Sequence, residues 1–127
     1  MKTVYVAMSA DIIHQGHLNV INEARNLGQV VVGLHTDDVI RGYWRNPIMK
    51  YRERKEVIEN IKGVLEVIPQ DSLDQSENIM RLKPDYVLHG DDWREGPQKE
   101  YRQKVIDVLK QWGGELVEVP YTKGVSI

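Results

Sequence analysis

The chain contains no cysteine in its 127 residues. This absence excludes disulfide bonds and zinc sites built from thiolates, and it removes the residue type from which a redox compartment is inferred. The sequence also has no apolar run of the roughly 20 residues that a membrane-spanning helix needs. Met1-Lys2-Thr3 leads directly into an apolar segment, without the pattern of a secretory signal peptide. We therefore expect a cytoplasmic protein that has no membrane partner.

Charge of one sign is not in excess either. The chain has 17 Lys and Arg against 19 Asp and Glu, so its formal net charge is −2. A general nucleic-acid binder would carry a basic excess, so we expect no nucleic-acid partner. A chain of this length forms one domain and buries about two-thirds of its unfolded surface. We expect a single domain over residues 1–127.

Strand-like and helix-like segments alternate along the chain. Such repeated strand–helix–strand units predict a parallel sheet with helices on both faces. The expected fold is therefore an α/β, Rossmann-like, doubly wound domain with five strands. The pattern predicts strands at 4–8, 30–34, 65–68, 86–88 and 116–119, helices from residue 18 and at 51–62, 72–82 and 99–112, a short helical turn after Thr36, and a loop over 41–50.

The segment between the first strand and the first helix carries two histidines. His14 and His17 are three residues apart, so they lie on one face of the first helical turn. The free N–H groups and the dipole at a helix start favour negative charge. Gly16 has no Cβ and lets a ligand approach the backbone. Together these features predict a phosphate site, and the alternative is two surface histidines at a helix start.

Polar residues gather where the predicted strands end. In open α/β sheets, ligands bind outside the carboxyl ends of the strands. The pattern therefore predicts a ligand site at this edge, although exposed loops also carry polar residues without any function. The residues that follow strand ends are Asp11, His14, His35, His89, Asp91, Asp92, Thr122 and Ser126, with His17 beside His14.

The spacing His-x-Gly-His after a first strand resembles the signature of the nucleotidyltransferase superfamily. That reaction needs reactants held in line and charge neutralised on phosphate oxygens. The resemblance implies that His14 and His17 hold the triphosphate near the N–H groups of residues 8–10, with His17 contributing most to the transition state. Arg45 and Arg54 are candidates to hold the β- and γ-phosphates, or are solvated surface arginines.

Two acidic positions have more than one interpretation. The Asp91-Asp92 pair could bind the base or ribose, ligate magnesium, or shape a turn with Gly90, and we favour ligand contact by Asp92. Asp11 could cap the first helix or meet a metal ion or the nucleotide.

Four segments, at 9–17, 51–55, 89–93 and 121–126, resemble the motifs of cytidylyltransferases in the same order. The resemblance is to the glycerol-3-phosphate cytidylyltransferase type, and closest to phosphonate-pathway enzymes that activate 2-aminoethylphosphonate or hydroxyethylphosphonate. It implies CTP as substrate, Mg²⁺, a homodimer, and catalytic roles for His14, His17 and Arg45. The implied nucleotide contacts are Met8, Ser9, Ala10, Asp11, His14, Gly16, His17, Arg54, His89, Gly90, Asp92, Tyr121, Thr122, Gly124, Val125 and Ser126.

The sequence departs from that family in places that concern the acceptor. Tyr121 stands where the family has an arginine, so Arg45 and Lys123 are expected to take a larger share of phosphate binding, or the acceptor differs. Tyr43 stands where glycerol-phosphate enzymes tend to have a basic residue, which disfavours glycerol 3-phosphate. The family continues beyond the position of Ile127, so we expect a truncated domain or a piece of a larger polypeptide.

Aromatic residues predict the class of acceptor. Tyr43, Trp44 and Tyr121, with nearby Asp residues, could hold a small ammonium by cation–π contact, as 2-aminoethylphosphonate would require, or could simply pack. Two other functions stay open: an adenylyltransferase that uses ATP, and a degenerate nucleotide-binding module. A receiver domain is disfavoured because the third strand runs into Pro69-Gln70 instead of a phosphorylatable Asp.

Overall fold

Five parallel strands form a single sheet in the computed structural model, which describes residues 1–120. The strands are β1 (Thr3–Met8), β2 (Gln29–His35), β3 (Val64–Gln70), β4 (Tyr86–Gly90) and β5 (Glu115–Val119). Their order across the sheet is β3-β2-β1-β4-β5, so the strand order reverses beside β1. In register, Val4 pairs with Val30 of β2 and with Tyr86 of β4.

The helices cover both faces of this sheet. They are α1 (Gln15–Leu27), α2 (Asp37–Tyr43), α3 (Tyr51–Glu59), α4 (Ser76–Leu82) and α5 (Lys99–Leu109), with a 3₁₀ turn at Asp91–Trp93. One buried cluster joins Val4 and Val6 to residues of α1 and α3, and a second joins Tyr5 to residues of α4 and α5. The alternation of β1 between two apolar cores confirms the doubly wound fold.

The predicted loop over 41–50 is wrong in its first part, because α2 extends to Tyr43. The Thr36 side chain accepts a hydrogen bond from the Val39 N–H, and Asp37 and Asp38 lie in the first turn, where the helix dipole favours them. Ile40 is fully buried and attaches the helix to the core. Because buried Ile40 fixes α2, it also fixes the positions of Tyr43 and Trp44 at the end of this helix.

Two other boundaries differ from the sequence pattern. The fourth helix begins at Ser76 and not at residue 72, because the Gln70 amide donates to the carbonyls of Ser72 and Asp74 and keeps that segment out of helical geometry. Strand β3 continues through Pro69 to Gln70. Proline is tolerated there because β3 is an edge strand. The third and fifth helices end three residues earlier than predicted, at Glu59 and Leu109.

Within residues 1–120, none of the helices combines the length and the apolar character required to cross a membrane.

Candidate active site

A cavity of about 320 Å³ lies at the carboxyl ends of β1 and β4, where the strand order reverses. The segment between β1 and α1 forms one side, the end of β4 forms another, and Trp44 closes part of the rim. The cavity therefore brings together residues from separate segments that the sequence predicted to contact a ligand. Among its lining residues are Met8, Ser9, Ala10, Asp11, His14, Gly16, His17, Trp44, His89, Gly90 and Asp92.

The two histidines of α1 hold each other in a capping arrangement. His14 is the N-cap, and its Nδ1 accepts a hydrogen bond from the Gly16 N–H at 3.0 Å. The Nδ1 of His17 accepts from the His14 N–H at 3.1 Å. An imidazole whose Nδ1 accepts must, when neutral, carry its hydrogen on Nε2. Both rings can therefore donate a hydrogen bond from Nε2.

The charge state of His17 follows from its surroundings. Burial, together with the neighbouring His14, lowers the pKa of His17 to about 4 from its usual 6.5. The two ring centroids are 4.1 Å apart, a distance at which two imidazolium charges would repel strongly. His17 is therefore neutral at pH 7 in the absence of ligand and acts as a hydrogen-bond donor, not as a fixed positive charge.

The segment between β1 and α1 has a strained backbone. Ala10 and Ile12 have positive φ angles of 48° and 75°. A β-branched residue such as Ile12 rarely adopts this conformation, and such strain persists only where the surroundings enforce it. The segment is thereby fixed in a conformation that places His14 at the start of α1.

Asp11 is what anchors that segment. Its side chain is buried, and its oxygens accept from the N–H groups of Ile48 and Met49, each at 2.9 Å, and from Arg45. Burial opposes ionisation, but the Met49 and Ile48 N–H groups and the Arg45 guanidinium outweigh it and lower the pKa of Asp11. The predicted helix-cap role of Asp11 is wrong, because His14 caps α1 and Asp11 binds the loop before α3.

The same contacts bear on the predicted magnesium ligands. The carboxylate of Asp11 already accepts two backbone N–H groups and faces a guanidinium, so it is poorly suited to a cation as well. No group of three or more His, Asp or Glu side chains in residues 1–120 is arranged to hold a metal ion. Besides Asp11, Asp92 is the only carboxylate residue that lines the cavity in the described part of the chain. These residues do not form a magnesium site by themselves.

Arg54 occupies a different position from the one predicted. It is 1% exposed, and its guanidinium donates to the carbonyls of Met49, Ser9 and His35 and to the carboxylate of Asp37. These contacts join the ends of β1 and β2 to the start of α2 and to the loop before α3. The guanidinium is a buried connector of these segments. It is therefore neither placed to contact a phosphate directly nor solvated at the surface.

Arg45 lies at the rim of the cavity. Its NH2 group is 3.3 Å from the Asp11 carboxylate, and its guanidinium lies 3.7 Å above the centre of the Trp44 ring. About a quarter of its side chain, 26%, is exposed. Arg45 is therefore accessible to a ligand in the cavity. Its role in binding the leaving phosphates stays a prediction.

The end of β4 forms the opposite wall. The His89 ring stacks on Trp93 with centroids 3.6 Å apart, and its Nδ1–H donates to the Gly90 carbonyl at 2.8 Å. This hydrogen bond leaves Nε2 of the neutral ring as an acceptor, and burial lowers the pKa of His89. A Cβ on Gly90 would lie 2.8 Å from the Asp92 carboxylate, so a larger residue here would require the Asp92 side chain to move.

Glu118, which the sequence did not single out, fixes this wall. It accepts hydrogen bonds from the indole N–H of Trp93 at 2.7 Å and from Arg94 and Arg102 at 3.0 and 2.9 Å. Burial opposes its ionisation, but Arg102, Trp93 and Arg94 lower the pKa of Glu118 to about 2. No local motif announces these contacts, because they join residues 16 to 25 positions apart.

The predicted acceptor residues Tyr43 and Trp44 lie at the rim and are 40% and 46% exposed. The Tyr43 hydroxyl is hydrogen-bonded to the Ser9 hydroxyl, which also lies 2.7 Å from Nδ1 of His35. Burial, and then the Arg54 guanidinium and the neighbouring His89 ring, lower the pKa of His35 to about 4. The other predicted contacts lie outside the described residues: Tyr121, Thr122, Lys123, Gly124, Val125 and Ser126.

Known proteins are similar to this sequence over most of its length. The chain is 32% identical to the glycerol-3-phosphate cytidylyltransferase of Bacillus spizizenii over 128 residues, which cover 99% of this chain and 92% of that protein. It is 38% identical to an FAD synthase of Methanothermobacter marburgensis over 119 residues, covering 91% of this chain and 71% of that protein. It is 32% identical to the ethanolamine-phosphate cytidylyltransferase of Dictyostelium discoideum over 97% of this chain, which spans about a third (34%) of that protein.

The fold is also found in solved structures. A lipopolysaccharide core biosynthesis protein from Thermoplasma volcanium superposes with a TM-score of 0.79 at 25% identity, covering 97% of this chain and 99% of that one. The sequence model of the family described as "Cytidylyltransferase-like" matches residues 8–123, a span that begins at the end of β1 and includes the paired histidines and strands β2 to β5. On this match and these identities, the chain belongs to the cytidylyltransferase-like family.

Proposed function

We propose that this protein transfers CMP from CTP to a small acceptor that carries a phosphonate or phosphate group, and releases pyrophosphate. The observation that carries the proposal is the pair of imidazoles at the start of α1, whose Nδ1 atoms accept backbone N–H groups and whose Nε2 atoms therefore carry the hydrogens to donate. Membership of the family supports nucleotidyl transfer in general. The choice of CTP and of the acceptor belongs to the proposal.

The reaction would proceed by direct transfer. An acceptor oxygen attacks the α-phosphorus of CTP, the bond from that phosphorus to the bridging oxygen of the β-phosphate breaks, and pyrophosphate leaves. Negative charge increases on the non-bridging and leaving oxygens. His14 and His17 would donate hydrogen bonds to these oxygens from fixed positions, and the N-terminus of α1 adds favourable potential. Such preorganised donors need no reorganisation at the moment of reaction.

The proposed acceptor is of the 2-aminoethylphosphonate type. Exposed aromatic faces at the rim offer cation–π contacts to an ammonium group. The Arg45 guanidinium covers one face of Trp44, so an ammonium would use the other face or the ring of Tyr43. The likeness to an ethanolamine-phosphate cytidylyltransferase supports an acceptor that carries both an amine and a phosphoryl group.

Magnesium and a homodimer complete the proposal. Mg²⁺ keeps several waters and is bound through one or two carboxylates together with substrate phosphates. In this cavity the triphosphate and water would supply most of its ligands and Asp92 the carboxylate. We expect the protein to elute as a dimer in size-exclusion chromatography with light scattering, and a monomer at micromolar concentration would contradict that part.

The test is a pyrophosphate-release assay with CTP or ATP and four acceptors: 2-aminoethylphosphonate, hydroxyethylphosphonate, ethanolamine phosphate and glycerol 3-phosphate. We expect turnover with CTP and fastest turnover with 2-aminoethylphosphonate. Preference for ATP would favour an adenylyltransferase, an alternative to which the likeness to an FAD synthase lends weight, since FAD contains adenosine. Calorimetric binding of CTP without turnover of any acceptor would favour a degenerate binding module.

A further inference from the structure

The half-buried imidazole of His35 lies at the sheet edge predicted to carry the ligand site, but the sequence assigned it no individual contact with substrate. Its Nδ1 lies 2.7 Å from the Ser9 hydroxyl, and the Ser9 hydroxyl is hydrogen-bonded to the hydroxyl of Tyr43. The rings of His35 and Tyr43 also meet edge to face, with centroids 5.8 Å apart. The three side chains form one continuous chain of hydrogen bonds that begins in the protein interior and ends at an exposed residue.

The chain of hydrogen bonds ends beside the proposed site of transfer. Ser9 lines the cavity, and the exposed Tyr43 is hydrogen-bonded to it, so the Tyr43 hydroxyl is one hydrogen bond away from a cavity-lining side chain. Trp44, the next residue, also lines the cavity. A ligand that fills the cavity up to Trp44 would have the Tyr43 hydroxyl within reach.

The backbone in this region does not depend on the His35 side chain. Arg54 donates to the carbonyl oxygens of Ser9 and His35 at 2.9 and 2.7 Å, and these bonds are made by main-chain atoms. Within residues 1–120 the His35 ring makes one hydrogen bond, the one to Ser9. Replacing the ring would therefore alter the direction of the hydrogen bond between Ser9 and Tyr43 more than the position of the main chain.

The chemistry of the three groups allows two directions of hydrogen bonding. A neutral imidazole carries its hydrogen on either Nδ1 or Nε2, so Nδ1 can donate to Ser9 or accept from it. If Nδ1–H donates to Ser9, the Ser9 hydrogen is available for the Tyr43 oxygen, and the Tyr43 O–H can then point outward as a donor. If Nδ1 accepts from Ser9, then Ser9 accepts from Tyr43 and the outward group is a lone pair. An imidazole at this position thus allows the Tyr43 hydroxyl to act outward either as a hydrogen-bond donor or as an acceptor.

We infer that His35 is a positioning residue that, through Ser9, orients the Tyr43 hydroxyl to donate a hydrogen bond to an anionic oxygen of the acceptor. The inference rests on the proposed function for the identity of the ligand, a phosphonate or phosphate. An anionic oxygen only accepts hydrogen bonds, so its arrival selects the Nδ1–H form of His35. The acceptor oxygen is then recognised without a positive charge, which leaves Arg45 to the nucleotide phosphates.

The kinetic test compares His35→Leu, Tyr43→Phe and the double variant. Loss of one hydrogen bond to the anionic acceptor oxygen should raise the acceptor KM at least about tenfold, because the contact is made equally in ground and transition states and leaves kcat nearly unchanged. Since both variants remove the same contact, the double variant should resemble either single one. His35→Asn should restore most of the affinity, because its amide can donate or accept near the position of Nδ1.

The opposite kinetic result is equally clear. If His35→Leu lowers kcat without changing the acceptor KM, or if the two single effects multiply in the double variant, His35 does not act through Tyr43. If His35→Leu fails to fold, Tyr43→Phe, which alters an exposed hydroxyl, still tests the donor at the end of the chain of hydrogen bonds. An unchanged acceptor KM in Tyr43→Phe would overturn the inference.

A second measurement does not require turnover. Nitrogen-15 NMR of the imidazoles distinguishes the Nδ1–H from the Nε2–H form, and methylphosphonate serves as the anionic probe. We expect methylphosphonate to shift His35 toward the Nδ1–H form in the wild type and not in Tyr43→Phe. An unresponsive His35 in an active enzyme would overturn the inference and leave the proposed function standing. A His35 that responds to methylphosphonate in a protein without nucleotidyl transfer would support the positioning role and overturn the proposed function.

Discussion

At the scale of single residues, the paired histidines combine two tasks in each ring. One nitrogen of each ring accepts a backbone N–H and starts α1, and the other nitrogen is left as a donor. The spacing of His14 and His17 was sufficient to predict that they share a face. The sequence could not show that their mutual capping fixes the tautomer, because this depends on the extended backbone of His14.

Variants of His17 separate these two tasks. His17→Ala should reduce kcat by about 10²- to 10³-fold, the usual effect of removing one preorganised donor, in the pyrophosphate-release assay. His17→Gln places an amide N–H near Nε2 and should retain more activity than His17→Asn, which keeps only an acceptor near Nδ1. A fully active His17→Ala protein would refute the assigned role.

Arg54 is the residue for which sequence reasoning and structure differ most. An arginine in a predicted helix gives no signal that its guanidinium will reach three carbonyls on other elements. Those partners are 5 to 45 residues away along the chain, and only the assembled sheet edge brings them together. The same holds for Asp11, whose partners begin 34 residues later.

Arg54→Leu should therefore destabilise the fold strongly. It leaves the buried carbonyls of Ser9, His35 and Met49 without their donor, and Asp37 without its partner. The expected loss in the free energy of unfolding is about 3–5 kcal/mol, measured by urea denaturation. The matched control is Arg52→Leu, an exposed position on the same helix, where a change within about 0.5 kcal/mol is expected. Equal stability of the two variants would contradict the buried-connector role.

At the scale of elements, Glu118 on β5 connects two other parts of the chain. Trp93 and Arg94 link it to the 3₁₀ turn after β4, and Arg102 links it to α5. Trp93 in turn stacks on His89 in the cavity wall. The position of the wall therefore depends on a carboxylate of the adjacent edge strand, where Glu118 is the register partner of His89. The existence of each element followed from hydrophobic periodicity, but this link between them did not.

Glu118→Gln should weaken this junction by about 1.5–3 kcal/mol, the range for hydrogen bonds to charged groups. Because the folded pKa is about 2 and the ordinary value is 4.5, the carboxylate stabilises the fold fully above pH 4.5, and this contribution is lost as the pH falls toward 2. The difference between wild type and variant in urea denaturation should shrink between pH 7 and pH 3.

The control for that experiment is Glu115→Gln, on the same strand but exposed. It should leave the unfolding midpoint unchanged at both pH values. If Glu118→Gln behaved like Glu115→Gln at pH 7, the carboxylate would not be holding Trp93 and Arg102 in the folded protein.

At the scale of the whole molecule, the edge of the sheet that carries the cavity holds three histidines, His17, His35 and His89, whose pKa values are lowered mainly by burial. Alternating apolar and helical segments were enough to predict the doubly wound fold and the edge at which the histidines meet. Burial of individual rings was not predictable, since it depends on which side chains close over each strand end. That burial gives the molecule a stability that depends on pH.

His17 and His35 have folded pKa values of about 4 against an ordinary 6.5, so the native state binds fewer protons than the unfolded state in that interval. Stability should be greatest above pH 6.5 and fall as the pH drops toward 4. The expected slope is up to about 1.4 kcal/mol per pH unit for each ring. Urea denaturation at pH 7, 6 and 5 measures it, with His35→Leu showing a shallower slope. A midpoint independent of pH over this range would contradict the neutral, buried state of the rings.

The most direct measurement is a crystal structure of the protein with bound CTP. We expect the triphosphate oxygens within hydrogen-bonding distance of Nε2 of both His14 and His17, between the end of β1 and the start of α1, with the cytidine toward Gly90 and Asp92. A nucleotide bound elsewhere on the molecule, or in this cavity with its phosphates away from both imidazoles, would contradict the proposed mechanism.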